Sequence, residues 1–224
     1  PDMETGRAEA VARNVQRYYI NTEGTFVYEP SSHAYIEAWG RALADDGMPV
    51  KHMFEHVRRD FDDLPPLDEL VEEANASAEL IAELREAEKV DTYNGPVLFT
   101  EDASNQLMWR MLSDGLSGTP SPTTDFDGGS GDYNPLTSRL NRRVFPKGFD
   151  VVDDPTRESI GAIPLMGAYE IDHEGVPAED VTLVDDGMLE SLLMSRTPSD
   201  DIDASNGHGR GGWQGIEGTA GNLI

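Results

Sequence analysis

The sequence contains no cysteine, only three lysines and no long apolar run. Without cysteine, this chain of 224 residues has no disulfide, thiolate metal ligand or cysteine nucleophile. No apolar run approaches the roughly 20 residues that a membrane-spanning helix needs, so we expect no membrane partner. The net charge of −26 repels phosphate groups, so we expect no nucleic-acid partner.

Acidic residues dominate what is present, with 43 Asp and Glu against 17 Lys and Arg. An aspartate-rich, lysine-poor, acidic surface favours a halophilic protein kept soluble at high salt, and an ordinary acidic cytosolic protein is the alternative. The length suits one large domain or two small ones. Because the sequence starts at a proline and its last six residues resemble the start of a strand, we expect a segment of a longer protein.

The first part of the sequence predicts an α+β region over residues 1–90. Residues 3–16 are predicted to form a short helix, and an antiparallel meander follows, with its first hairpin turning at residues 21–24 (NTEG). Apolar residues recur at helical spacing through residues 67–88, after two prolines, and predict a long amphipathic helix.

The second part, residues 96–224, is predicted to contain one helix and then a mostly antiparallel β region. Residues 96–99 (PVLF) are predicted as a short buried strand, and Thr100 as the N-cap of the helix. Strand-like runs then alternate with Gly and Pro turns, at residues 149–152, 165–171, 181–184 and 189–194.

His52, Glu55 and His56 fit the H-x-x-E-H pattern of inverted zinc peptidases. On a helix the two histidines would lie about 5–6 Å apart and share one zinc ion, whose bound water the glutamate would activate. On a strand they would be about 13 Å apart, too far to share a metal. The flanking sequence supports both shapes, so zinc is a cofactor only in this alternative.

Residues 207–212 (GHGRGG) formally contain G-x-G-x-x-G, but no strand precedes them and no helix follows, so a dinucleotide site is rejected. The loop carries Asn206, His208 and Arg210. Glycine backbone N–H groups and an arginine in an acidic protein could hold a carboxylate or a peptide backbone, which makes these three residues candidates for substrate binding. A flexible linker is the alternative.

Six stretches, in order along the chain, resemble one known family. The most distinctive is NRRVFPKGFDVVDDPT, at residues 141–156. The others are residues 21–25 (NTEGT), 95–99 (GPVLF), 167–178 (GAYEIDHEGVPA), 182–189 (TLVDDGML) and 205–210 (SNGHGR). These stretches resemble the TldD/PmbA family of peptidase-related proteins, also described as related to modulators of DNA gyrase.

The resemblance implies a cytoplasmic, dimeric, two-part α+β protein that is longer than this chain and acts on peptides or unfolded segments. In this family, a zinc peptidase subunit carries H-E-x-x-x-H on the helix after the PVLF-like strand. Its sister subunit binds no metal. The resemblance places Trp109, Arg110 and Asp114 where the motif has histidine, glutamate and histidine. The motif is therefore degenerate here, and catalytic residues remain unknown.

The sequence thus predicts a peptidase-related protein of this family without the standard zinc centre and with no cofactor in this chain. Two alternatives stay open. One is an active zinc metallopeptidase that uses His52, Glu55 and His56. The other is a non-catalytic subunit of a homodimer, or of a heterodimer with a family paralogue.

Overall fold

The computed structural model describes residues 3–90, 92–112, 115–120, 134–211 and 215–224. The chain divides into two compact units. Unit 1 comprises Pro1–Gln16 and Pro30–Val97, and unit 2 comprises Arg17–Glu29 and Leu98–Ile224. No helix in the described ranges is both long and apolar enough to cross a bilayer.

Unit 1 is built on a three-stranded meander of β1 (Thr5–Ile20), β2 (Phe26–Leu43) and β3 (Pro49–Arg58), in the order β1-β2-β3. Strands β2 and β3 are antiparallel. The tip of the β1–β2 hairpin, Arg17–Glu29, is grouped with unit 2. The meander predicted from the sequence is confirmed.

The prediction of a helix at residues 3–16 is wrong, because these residues lie in β1. Burial in this strand follows a period of two, with Glu9 and Val11 half-buried between exposed neighbours. The alanines of this stretch favour a helix locally, but pairing with β2 overrides that local preference.

The long helix is confirmed as α1, Leu67–Glu86, which packs against β3. It starts directly after Pro66, and Asp68 and Glu69 lie in its first turn, where the helix dipole favours negative charge. Ile81 is its fully buried residue. Gly40 of β2 leaves room for this side chain, since a Cβ atom there would lie 3.0 Å from Ile81 Cδ1.

Unit 2 contains helix α2 (Glu101–Leu112) and short antiparallel strands. A central sheet has the order β4-β7-β8, and two small ladders pair β5 with β6 and β9 with β10. These strands are β4 (Val151–Asp153), β5 (Ser159–Ile160), β6 (Ile163–Pro164), β7 (Val181–Asp185), β8 (Met188–Leu189), β9 (Gly209–Gly211) and β10 (Ile216–Gly218). The α+β fold and the antiparallel character of this region are confirmed.

The core of unit 2 is apolar and closely packed around β7. Leu183 and Val184 are fully buried there, beside Leu189, Leu192 and Leu193. Leu112, at the end of α2, joins the same cluster. This core therefore holds the α2 terminus and the segment after β8 against the central sheet.

Three strand predictions in this region are wrong, because only residue 189 of the predicted strand at 189–194 lies in a strand, β8, and two other stretches form no strand at all. Residues 96–99 form no strand, and Val97 and Leu98 are 63% and 86% exposed, because no described strand pairs with them. Residues 165–171 form turns rather than a strand, and Tyr169 N donates instead to Pro155 O at 2.9 Å.

Candidate functional site

The loop at residues 205–211 is held at unusually close backbone contact with a neighbouring segment. Gly207 has a φ of 74°, and a Cβ atom on it would lie 2.1 Å from Pro177 O. Only glycine satisfies both the left-handed backbone conformation and this close approach. The glycines of this loop therefore serve packing rather than flexibility.

Asn206 fixes the start of the loop through its side chain. Its Oδ1 accepts a hydrogen bond from Met194 N at 2.8 Å, and its Nδ2 donates to Leu192 O at 2.9 Å. Both side-chain ends are thus used to bind the backbone of the segment after β8. In this structure Asn206 positions the loop.

His208 is completely buried and forms a pair with Asp153, which is also completely buried. His208 Nε2 lies 2.8 Å from Asp153 Oδ2, and Nδ1 lies 2.9 Å from Asn206 O. Because a carbonyl oxygen only accepts, Nδ1 carries a hydrogen. The contact with Asp153 then holds one further proton, either on the ring or on the carboxyl group.

Asp153 also accepts a hydrogen bond from Gly221 N at 2.8 Å. The pair therefore links three separate segments: strand β4, the 205–211 loop and the C-terminal residues. Both forms of the shared proton leave the pair without net charge, which makes its complete burial tolerable.

Tyr169 lies beside this pair and supports the loop from the other side. Its hydroxyl donates to Gly207 O at 2.8 Å, and its ring meets the His208 ring edge-on at 6.4 Å. Burial raises the pKa of Tyr169 to about 12, so the phenol remains a hydrogen-bond donor at any physiological pH.

Arg210 is partly exposed, whereas Gly207, His208 and Gly209 before it are buried. Its guanidinium carbon lies 4.3 Å from the centre of the Tyr169 ring, a stacked cation–π arrangement. Contacting side chains therefore run without a break from the interior to the surface, in the order Asp153, His208, Tyr169 and Arg210. We call this series the Arg210 stack.

Asp172 and His173 fasten strand β9. Asp172 is fully buried, and its Oδ2 accepts from Gly209 N at 3.0 Å. His173 Nδ1 accepts from Gly211 N at 2.7 Å, so the neutral ring carries its hydrogen on Nε2. The pKa of His173 is lowered, first by burial and then by the positive charges of Arg210 and Arg17.

The hairpin tip, Arg17–Glu29, belongs to the same unit and contacts the same turn. Arg17 donates to Ile171 O, and to Asp172 O at 3.0 Å. At the end of the tip, Glu23 forms a two-pronged ion pair with Arg196, at 2.7 and 2.9 Å. That pairing lowers the pKa of Glu23 and raises the pKa of Arg196.

Trp109 and Arg110, which the resemblance places at the first two motif positions, lie on α2. Trp109 is 51% exposed, and Arg110 is exposed as well. Asp114 lies outside the described residues. An indole offers no lone pair to a metal, and a guanidinium repels a cation and cannot act as a base. The donor set present here therefore does not fit the zinc that the family resemblance implies.

His52, Glu55 and His56 lie on strand β3 rather than on a helix. The histidines share one face and sit about 13 Å apart at the usual rise per residue, while Glu55 is on the opposite face. His52 Nδ1 lies 3.0 Å from Ser77 Oγ, and His56 Nε2 lies 2.6 Å from Glu73 Oε2. This arrangement does not bring the three side chains together. Across the described parts of the chain, no group of three or more potential metal ligands is formed.

Sequence reasoning named Arg210 but gave no role to Asp153, Tyr169 or His173. All three lie in the two longest stretches that carry the family resemblance. Their roles depend on contacts between distant segments, since Tyr169 and Gly207 are 38 positions apart and Asp153 and His208 are 55 apart. The sequence signal that could have pointed to these three residues is that they lie in the stretches with the strongest family resemblance.

Comparison with known proteins places this site in a family context. Residues 92–223 match the model for the PmbA/TldA metallopeptidase C-terminal domain. A protein named metalloprotease from Archaeoglobus fulgidus is 35% identical over 82 residues, which is 37% of this chain and 17% of that protein. Another protein of that name, from Methanothermobacter thermautotrophicus, is 39% identical over 61 residues, 27% of this chain and 12% of that protein.

Three solved structures share the fold. Two are described as candidate modulators of DNA gyrase. The Bacteroides thetaiotaomicron protein has a TM-score of 0.70 at 12% identity over 99% of this chain and 45% of its own length. The Thermotoga maritima protein has a TM-score of 0.67 at 20% identity, over 99% and 46%. TldE from Thermococcus kodakarensis has a TM-score of 0.55 at 15% identity, over 97% and 46%.

This chain spans less than half the length of those structures, and the stretches that match the two curated relatives cover under a fifth of the length of those relatives. The family model covers residues 92–223, which is more than half of the chain and includes all of the Arg210 stack. The chain therefore belongs to the PmbA/TldA metallopeptidase family.

Proposed function

We propose that this chain is a peptidase-related subunit that handles peptides or unfolded segments without a zinc centre on α2. One observation carries the proposal: Trp109 and Arg110 stand on the exposed surface of α2 at the positions that the family resemblance assigns to a metal ligand and a base. No step of a hydrolytic reaction is assigned to these residues. Arg210 is the part of the site that contacts substrate, and Asn206 and His208 position it.

Metal analysis of the purified protein, with zinc titration by calorimetry, tests the metal part of the proposal. We expect no stoichiometric zinc in the wild-type chain. A matched control rebuilds the motif with Trp109→His, Arg110→Glu and Asp114→His, and we expect this variant to bind zinc more tightly than wild type. Stoichiometric zinc in wild type that is lost when Trp109, Arg110 and Asp114 are all replaced by alanine would overturn the proposal.

A second role, as the non-catalytic member of a dimer, is favoured by exposed apolar side chains around α2. They are Leu98, Phe99, Trp109 and Met111. Such a group of exposed apolar residues is typical of a subunit contact. Copurification with a family paralogue that carries an intact H-E-x-x-x-H would support a heterodimer, and a dimer of this chain alone would support a homodimer.

The zinc peptidase that would use His52, Glu55 and His56 is less favoured, because β3 separates these side chains. A His52→Ala variant tests it directly, since such an enzyme would lose both its zinc and its cleavage of an unfolded peptide. We expect neither property to change.

A cytoplasmic location and adaptation to high salt belong to the same proposal, and the net charge of −26 supports the adaptation to high salt.

A further inference from the structure

We propose that Arg210, stacked on Tyr169, is a receptor for a carboxylate group of a bound peptide. The inference rests on the proposed function, because it names the chemical group that a peptide ligand would present to this site. The carboxylate is either the C-terminus of the peptide or an acidic side chain, and the experiment below separates the two.

The first support is the charge that Arg210 leaves uncompensated. Five other arginines form ion pairs with carboxylates: Arg7, Arg17, Arg41, Arg143 and Arg196. Within the described residues, no carboxylate oxygen comes within 4.0 Å of the Arg210 guanidinium. Glu217 is the residue opposite Arg210 in the β9–β10 ladder, and it too lies beyond that distance.

The second support is the rigidity of the site. The Tyr169 ring lies 4.3 Å from the guanidinium carbon and holds Arg210 in place, and the planar fork of arginine N–H donors suits a two-pronged contact with a carboxylate. Tyr169 is itself fixed by its bond to Gly207 O and by the buried His208–Asp153 pair. Because the side chain is ordered before binding, less conformational entropy is lost when a ligand binds.

The third support is the effect of the Arg210 charge on the neighbouring His173. Although the chain is strongly acidic, Arg210 and Arg17 both act to lower the pKa of His173, and the opposing effects of Asp172 and Glu29 are smaller. His173 accepts from Gly211 N through Nδ1, so its Nε2–H is a further donor beside strand β9. An anionic ligand is therefore favoured at this position over a cationic one.

The experiment measures binding of a labelled, unstructured peptide that contains one glutamate and a free C-terminus, using fluorescence anisotropy at low salt. Arg210→Gln should weaken binding about tenfold or more, as expected for the loss of a charge-assisted hydrogen-bonded pair. Arg210→Lys should lose part of the affinity, since lysine keeps the charge but not the planar fork. Arg142→Gln removes the same charge from another exposed arginine and should leave binding unchanged.

Two modified peptides identify the source of the carboxylate. If the C-terminus binds, its amidation should weaken binding to wild type about as much as Arg210→Gln does, and should have no further effect in that variant. If the acidic side chain binds, replacing the peptide's glutamate by glutamine should do so instead. Glu217→Gln, which removes the carboxyl group opposite Arg210 in the ladder, should not weaken binding, and a loss of affinity in this variant would contradict the proposal.

Thermal denaturation of each variant shows that it is folded before its affinity is interpreted. Equal affinity of wild type and folded Arg210→Gln for the free peptide would overturn the carboxylate site while leaving peptide handling intact. Tight binding of both modified peptides to wild type would do the same. Absence of binding by every peptide would overturn the carboxylate site and the proposed function together.

Discussion

Unit 1 and unit 2 differ in how secondary structure relates to burial. Unit 1 has three long strands and a twenty-residue helix, yet its fully buried apolar residues are Ala34, Ala42 and Ile81. Unit 2 has strands of two to five residues, yet it encloses a core of leucines and valines around β7. Regular hydrogen bonding and a closely packed core are thus separate properties, and each unit is rich in one of them.

The same contrast appears in their histidine–carboxylate pairs. In unit 2 the His208–Asp153 pair is 0% exposed at both side chains. In unit 1 the His56–Glu73 pair is 23% and 39% exposed. The contacts have similar lengths, 2.8 and 2.6 Å, so burial is the main difference between them. Stability should therefore depend on the first pair far more than on the second.

Breaking each pair in turn gives the largest expected difference between the units. Asp153→Ala leaves His208 Nε2 buried without its partner, and we expect a loss of about 3–5 kcal/mol in the free energy of unfolding. Glu73→Ala leaves His56 in contact with water, and we expect a loss of at most about 1 kcal/mol. Urea denaturation followed by circular dichroism measures both values.

Because Asp153→Ala could fail to fold, Asp153→Asn provides a milder variant that keeps the shape of the side chain. A loss for Asp153→Asn no greater than that for Glu73→Gln would contradict the importance assigned to burial.

Deleting matched leucines compares the two units through packing instead of charge. Leu183→Ala opens a cavity in the unit 2 core, where the side chain is fully buried, and should cost about 2–5 kcal/mol. Leu67→Ala acts on a residue of α1 that is 76% exposed and should change stability by less than about 0.5 kcal/mol. The same denaturation assay measures both, and similar losses would show that Leu67 is covered in solution.

Local patterns in the sequence predicted elements whose cause is local. Helix α1 follows from apolar residues at helical spacing, and the turn at residues 21–24 from its Asn and Gly. The stretch at residues 3–16 was mispredicted because its strand depends on a ladder with β2, which lies beyond the hairpin. Residues 96–99 were mispredicted as buried because an apolar run shows what favours burial, not whether a partner covers it.

The candidate site divides in the same way. Arg210 was predicted as a binding residue from its residue type in a glycine-rich loop, and that information is local. The functions of Tyr169 and Asp153 follow from contacts across tens of residues, which no periodicity records. His208 was predicted as a binding residue from its place in the same loop, and its complete burial beside Asp153 depends on contacts that the local sequence does not record.

Ionisation of Tyr169 should change the free energy of unfolding less than the core substitutions do, and it distinguishes this buried residue from exposed tyrosines. Its pKa is raised to about 12 by burial, against an ordinary value of about 10. Between these values the unfolded chain is ionised and the folded site is not, so stability is constant below pH 10 and falls as pH rises through 10 to 12. The absorbance of phenolate should show one late-titrating tyrosine, and Tyr169→Phe should remove that late component.

His173 gives the smallest effect and the most direct view of the positive charge near Arg210. Its lowered pKa means that the unfolded chain protonates first as pH falls below about 6.5, so its contribution to stability is present at neutral pH and is lost on acidification. Arg210→Gln removes one of the two charges that lower this pKa, and the pKa of His173 should rise towards its ordinary value. Nuclear magnetic resonance titration of the His173 ring measures the change, with Arg142→Gln as the charge-matched control. An unchanged pKa in Arg210→Gln would place the guanidinium too far from His173 for the two to act on the same ligand.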